Sequence, residues 1–396
     1  ALSRASLEVK IRKVDMAIIN PFGKDIIKVE TEFCGKTLSL EVNRVGFRST
    51  SSVIVRYGET VVLGTAMVSD KTIQGLDYFP LSIDYEERFY AAGKISGSRF
   101  IKREGKPSDD AILIGRLIDR PIRPLWPKGY RHEAQGVATV LSMDPTFRPD
   151  MVAMIAMSAA FMLTGAPFEG PVAGVRIGLV DGKPKAFATP EELKNGDLDL
   201  VVAGTKDAIM MVEAEATSHT IELIKGGAQA PTEEIVGAGL DAAKPFIKTL
   251  CEAQLELAKV AAKPTAEFPV YLEYQSDAAD AVTAKVKDQT SKALTIVSKA
   301  EREAKLEEIE GSLLEALATE FEGREKEVKA AFRSLQKKLV RERVLREKVR
   351  IDGRGPRDIR PITAEVEVVP RVHGSALFER GETQIMGITT LNMLKM

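Results

Sequence analysis

Five cations fall within one short, glycine-bearing stretch: Lys94, Arg99, Lys102, Arg103 and Lys106, with Phe100 and Ile101 among them. Cations at this density neutralise phosphates, an aromatic ring stacks on a base, and glycine lets a backbone approach a strand closely. The chemistry on offer is recognition of single-stranded nucleic acid; a solvated basic loop is the alternative that composition leaves open. Arg380, beside a turn, is a candidate phosphate contact. Asp197 and Asp199 bracket the start of an apolar run. Such a pair of carboxylates suits magnesium, and a plain acidic turn is the alternative. The histidines, His132, His219 and His373, are scattered, so their spacing argues no nucleophile–base pair. Neither a P-loop nor a dinucleotide glycine fingerprint occurs.

Totals narrow the field. A net charge of −1 over 396 residues gives no global basic field, so any nucleic-acid site is local. Cys34 and Cys251 fit neither a disulfide framework nor a zinc site. No stretch is long and apolar enough to span a membrane, and residues 1–10 lack the apolar run of a signal peptide. The expectation is a cytoplasmic protein.

The elements that position these residues can be read from periodicity. Residues 37–42 alternate with period two, and 52–56 and 61–68 form a hairpin turning at Gly58-Glu59. Residues 78–84 read as a strand that Pro80 confines to an edge or bulge. After the basic loop, Ser108 caps a helix with Asp109 and Asp110 in its first turn, ended by Pro121 and Pro124. Residues 136–142 read as a buried strand, and 150–163 as a central helix, apolar on every face. Residues 172–180 and 185–188 make a hairpin across Asp181-Gly182, and 198–203 and 208–214 are two more strands. From Thr232 the chain turns helical, and Ser276 is a candidate cap. Two apolar stripes, from Leu306 to Phe321 and from Val328 to Leu339, suit an antiparallel helix pair. Strands that lead with helices intervening point to an α+β architecture.

The first hairpin has an echo. Gly381-Glu382-Thr383 lies 323 residues after Gly58-Glu59-Thr60, and at that same offset Ser375 matches Ser52 and Gly387 matches Gly64. A shared offset over several positions is the mark of a duplicated unit. Its second copy is followed by only a few residues in this chain, so a second core cut short is expected.

Taken together, these motifs resemble polynucleotide phosphorylase. The similarity is carried by Tyr90-Ala-Ala-Gly-Lys94, residues 100–107, 116–124, 199–204 and 211–215, Arg350-Ile-Asp-Gly-Arg354 and residues 373–384. The resemblance implies a ribonuclease PH-like core of mixed sheet with packed helices, then an all-α helical domain, then a truncated second ribonuclease PH-like core. The boundaries expected are an arm at 1–28, a first core at 29–265, the helical domain at 266–345 and the second core from 346 to 396.

The same resemblance implies a phosphorolytic 3′-to-5′ exoribonuclease in mRNA degradation, with inorganic phosphate as co-substrate and Mg2+ as cofactor. It implies single-stranded RNA and RNA-degradation complex components as partners, and a homotrimer in which the loops of three subunits ring a channel. Arg99, Phe100, Ile101, Lys102, Arg103 and Lys106 fall on the RNA-constricting loop; Ile101 replaces an aromatic, and Arg99 is an insertion. Met157-Ser-Ala-Ala-Phe161 stands in place of the family's serine-rich phosphate loop with one serine. Asp197 and Asp199 therefore read as vestigial, and the phosphate loop and metal ligands are expected beyond Met396. The chain alone is expected to be inactive. The alternatives are a non-catalytic RNA-binding or trimerising module and guanosine pentaphosphate synthesis.

Overall fold

The computed structural model describes residues 10–13, 25–72, 76, 78–95, 97, 105–180, 182–196, 198–227 and 230–392. The chain divides into two compact units, Ala1–Tyr271 and Leu272–Met396.

The first unit runs β1 (Lys10–Lys13), β2 (Ile27–Phe33), β3 (Lys36–Val42), β4 (Ser51–Tyr57), β5 (Thr60–Thr72), β6 (Leu81–Glu87), α1 (Asp109–Ile122) and β7 (His132–Ser142). It continues with α2 (Asp150–Met162), β8 (Ala173–Val180), β9 (Lys183–Ala186), α3 (Pro190–Asn195), β10 (Leu198–Gly204), β11 (Ile209–Ala216), α4 (Thr220–Lys225) and α5 (Glu233–Ala261). Among the described residues the strands form a seven-stranded sheet ordered β1-β2-β3-β4-β5-β7-β6 and a four-stranded sheet ordered β11-β10-β8-β9. The larger sheet is mixed, because β6 pairs parallel with β7 at its edge. That edge is where Pro80, just before β6, costs no ladder bond.

Helix α2 is the centre of this unit. Its residues from Asp150 to Phe161 are buried all round. It packs on β4, β5 and β7 of the large sheet and on β8 and α5 on its other side. A helix made of Met, Ala, Ile and Val on every face has no solvent side to offer, so it must be enclosed. Close approach to the sheet depends on Gly64, where an added Cβ would lie 2.6 Å from the Ala156 carbonyl oxygen.

The second unit holds α6 (Ser276–Ala293), α7 (Lys299–Leu317), α8 (Glu325–Glu347), β12 (Ile362–Val366), β13 (Gly374–Arg380) and β14 (Thr383–Thr389). The helical part is a bundle of three rather than a pair. Ala278, Val282 and Val286, spaced by four, give α6 an apolar face that packs with α7 and α8 around Leu313, Phe332 and Leu335. Ser276 is the first helical residue of α6, and Gln275 occupies the cap position. Pro121 lies inside α1 rather than ending it. A proline in the last turn forfeits a single bond, and buried Ile118 and Ile122 hold the turn in place.

The duplicated hairpins superpose in register. Tyr57 pairs with Thr60 and Val53 with Gly64 in β4–β5, while Arg380 pairs with Thr383 and Ala376 with Gly387 in β13–β14. Every one of these positions obeys the 323-residue offset. The turn glycines, Gly58 and Gly381, share a left-handed conformation with φ of 58° and 60°, which a two-residue hairpin turn of this type demands. The third strand departs by one residue: Leu38 faces Tyr57, but Ile362 faces Arg380. β14 is paired along β13, while its apolar residues Ile385, Met386 and Ile388 remain exposed.

Candidate functional site

The basic loop is anchored at both ends. At its start, a 3-10 turn at Phe89–Ala92 is closed by Gly93 at φ 67°, whose amide donates to the Phe89 and Tyr90 carbonyls. The Met143 amide donates to the Ala91 carbonyl at 3.0 Å, which ties this turn to the end of β7. At the other end the Ser108 hydroxyl accepts from the Ala111 amide at 3.1 Å and caps α1, as the sequence predicts. Lys94 and Lys106 stand exposed on the two ends. They border a cavity of about 610 Å³ whose apolar walls include Phe89, Val140 and Met143, with Glu86 and Glu87 also lining it. Cations at the rim and an aromatic wall are what a phosphate and a base require. Arg99, Phe100, Ile101, Lys102 and Arg103 lie outside the described residues.

Asp199 meets a cation, and it is an arginine. The Arg176 guanidinium reaches Asp199 Oδ2 through Nη1 at 2.5 Å and Asp150 Oδ2 through Nη2 at 2.5 Å. Arg176 is in β8 beside β10, where it faces Val201 in the register, and Asp150 opens α2. All three side chains are nearly buried. Burial works against the Arg176 charge, but the two carboxylates outweigh it and hold the guanidinium charged beyond its ordinary range. Asp199 Oδ1 and Arg176 Nε are buried without a hydrogen-bond partner.

This triad does not fit magnesium. One oxygen of each carboxylate is turned onto a fixed cation, and the described residues contain no cluster of three His, Cys, Asp or Glu side chains able to hold a metal. Asp197, the other half of the acidic pair, lies outside the described residues. Ser158, the one serine in place of a phosphate loop, is inside α2, fully buried, and its hydroxyl accepts from the Val172 amide at 2.9 Å. It has nothing to offer a phosphate. The first unit thus carries Asp199 in an internal ion cluster with Asp150 and Arg176.

Arg380, at the end of β13, stands beside a cavity of about 590 Å³ in the second unit, with Arg350, Arg354, Arg357 and Arg360 also lining it. The sequence shows each arginine but not their convergence. The signal that joins them is strand pairing: Ile362 faces Arg380, so the segment before β12 is brought back to the β13–β14 turn. The Asp150–Arg176 pair was likewise invisible, since nothing in spacing aligns a helix start with the middle of β8.

Comparison with known proteins gives three matching family models in order along the chain. Residues 35–167 match the 3' exoribonuclease family, domain 1, and residues 170–230 match domain 2 of that family. Residues 277–355 match the RNA binding domain of polyribonucleotide nucleotidyltransferase. A polyribonucleotide nucleotidyltransferase of Streptomyces avermitilis is 56% identical over 370 residues, covering 92% of this chain and 50% of the relative. One from Salinispora arenicola is 56% identical over 369 residues, covering 92% and 47%. One from Acidothermus cellulolyticus is 56% identical over 366 residues, covering 91% and 47%. The chain spans about half the length of the curated relatives it matches. A solved structure of rice (Oryza sativa) Rrp46 is similar with a TM-score of 0.44 at 11% identity, over 56% of this chain and 94% of that one.

Proposed function

On the premise that this chain belongs to the polyribonucleotide nucleotidyltransferase family, we propose that it is the RNA-receiving portion of a phosphorolytic 3′-to-5′ exoribonuclease. The observation that carries the reading is the ordered run of three family models together with 56% identity across 92% of the chain. In the proposed reaction, an oxygen of inorganic phosphate attacks the last phosphodiester of RNA. The bond to the 3′ oxygen breaks, that oxygen takes a proton, and a nucleoside diphosphate leaves. The reverse reaction elongates RNA.

Roles for residues follow from charge and placement. Lys94 and Lys106, with Lys102 and Arg103 between them, are read as contacts to the RNA backbone, where each neutralised phosphate adds affinity that salt removes. Phe100 and the Phe89 wall are read as surfaces for bases. Residues 29–265 are read as a first core, 266–345 as a helical domain and 346–396 as part of a second. A homotrimer, magnesium dependence, messenger RNA as substrate, RNA-degradation complex components as partners and a cytoplasmic setting belong to the same proposal. Among the described residues no helix is long and apolar enough to cross a membrane.

A second reading has its own support. Because Arg176 occupies Asp150 and Asp199, the first unit serves to hold RNA rather than to cleave it, which is a module's role within an enzyme. Fluorescence anisotropy of a 5′-labelled oligoadenylate tests the guiding role. Lys102→Ala with Arg103→Ala should weaken binding roughly tenfold or more and lower the salt-dependence slope by about 1.4. Unchanged affinity and slope would remove the loop from the RNA path.

A further inference from the structure

We infer that residues 263–271, the strap that follows α5, form a releasable clasp whose closed state is held by one aromatic plug, Phe268. The strap is tied to the rest of the first unit at three places. The Lys263 ammonium donates to the Thr50 carbonyl at 2.7 Å. The Ala266 amide donates to the Gly165 carbonyl, and the Tyr271 amide to the Gly129 carbonyl, each at 2.9 Å. Both receiving glycines are left-handed, with φ of 81° at Gly165 and 84° at Gly129. A Cβ on Gly165 would lie 2.9 Å from the Pro264 carbonyl oxygen, and one on Gly129 would lie 2.5 Å from that of Tyr271. The seat is therefore shaped for this strap, since any side chain at either glycine would push it off.

Little apolar surface closes the clasp. Phe268 is half-buried, and every other strap residue is exposed. The Phe268 ring meets those of Tyr130 and His132 edge-on, at centroid distances of 5.3 and 5.0 Å. Tyr130 in turn stacks on Trp126 at 5.0 Å. These three rings are buried, and each carries a polar atom without a hydrogen-bond partner among the described residues: Trp126 Nε1, the Tyr130 hydroxyl and His132 Nε2. The other nitrogen of His132, Nδ1, donates to the Ser69 carbonyl at 2.9 Å. A buried polar group left unpaired costs free energy that hydration would return on opening. A segment with one apolar anchor, seated over unpaired polar atoms, opens at a lower cost than the core beneath it. The second unit begins at Leu272, so the clasp sets the length of its tether. Released, residues 263–271 span up to about 30 Å. The chain thus has a means of loosening the second unit without unfolding either one.

The clasp needs neither RNA nor phosphate, so its test is independent of the proposed function. Hydrogen exchange read by mass spectrometry on the whole chain, beside Tyr130→Phe and Phe268→Ala, provides it. The Ala266 and Tyr271 amides should exchange at least about tenfold faster than the amides of α2. Tyr130→Phe removes an unpaired hydroxyl and no hydrogen bond, so it should slow that exchange roughly fivefold or more. If Tyr130 served packing alone, the same change would leave exchange as it was or speed it. Phe268→Ala should bring both amides to the rate of an unprotected chain while α2 stays protected. It should also move the emission of Trp126, the sole tryptophan, to longer wavelength as the indole gains water. Exchange of the two amides no faster than that of α2, or exchange in Tyr130→Phe as fast as before, overturns the inference.

Discussion

Arg176 is the buried cation of two carboxylates, while exposed Arg148 stands 4.0 Å from Asp199 Oδ2. Removing it leaves two nearly buried negative charges facing each other, a loss that typically costs about 3–5 kcal/mol. Arg176→Met should lower unfolding stability in urea by that order, and Arg176→Lys should restore part of it; a change below about 1 kcal/mol would mean the cluster is more hydrated than its burial implies. Asp144 behaves differently because it can be followed by pH. Its hydrogen bond from Lys36, then that from Thr146, hold its carboxyl at about 2 against an ordinary 3.8. A depressed pKa contributes stability that is present above the ordinary value and lost as pH falls, here from about pH 4 through about pH 2. Asp144→Asn should therefore cost roughly 2 kcal/mol at neutral pH and flatten the acid limb of the stability profile across that window. An unchanged acid limb would contradict the pairing. The sequence showed which residues carry charge but not which of them spend it on one another. Asp199 looked like half a metal site because its cation comes from a different strand.

At the scale of elements, the duplicated hairpin was the most legible feature. Its offset, turn and register all follow from Gly-Glu-Thr and from alternation of apolar residues. The one-residue shift of β12 against β13 was not legible, because a strand's partner register depends on the loop that delivers it. Helix α2 was legible for the opposite reason, since a helix with no polar face has only one place to go. What its two sides touch was not. Gly64 measures that contact. Gly64→Ala places a methyl group 2.6 Å from the Ala156 carbonyl oxygen, whereas Gly387→Ala meets nothing closer than 3.9 Å. The first change should cost on the order of 1–3 kcal/mol or more by overpacking. The second should stay within about 0.5 kcal/mol, as surface substitutions do. Thermal unfolding of both variants tests this, and equal effects would contradict the packing of α2 on β5.

For the molecule as a whole, the α+β class and the RNase PH-like core were readable from strand order and motifs, and the family models agree. The chemistry divides between the units. The first presents cations at the ends of a basic loop and keeps Asp150 and Asp199 closed by Arg176; the second gathers arginines around Arg380. Neither, among the described residues, sets carboxylates for a metal. The central claim is that these residues receive RNA and phosphate groups without cleaving the strand through Asp199. Its most direct measurement is phosphate-dependent release of nucleoside diphosphates from polyadenylate by this chain with magnesium, beside RNA binding by the same preparation. The account predicts bound RNA and no release. Release that disappears in Asp199→Asn, with RNA binding intact, would show a working site where the structure places an ion cluster, and would contradict it.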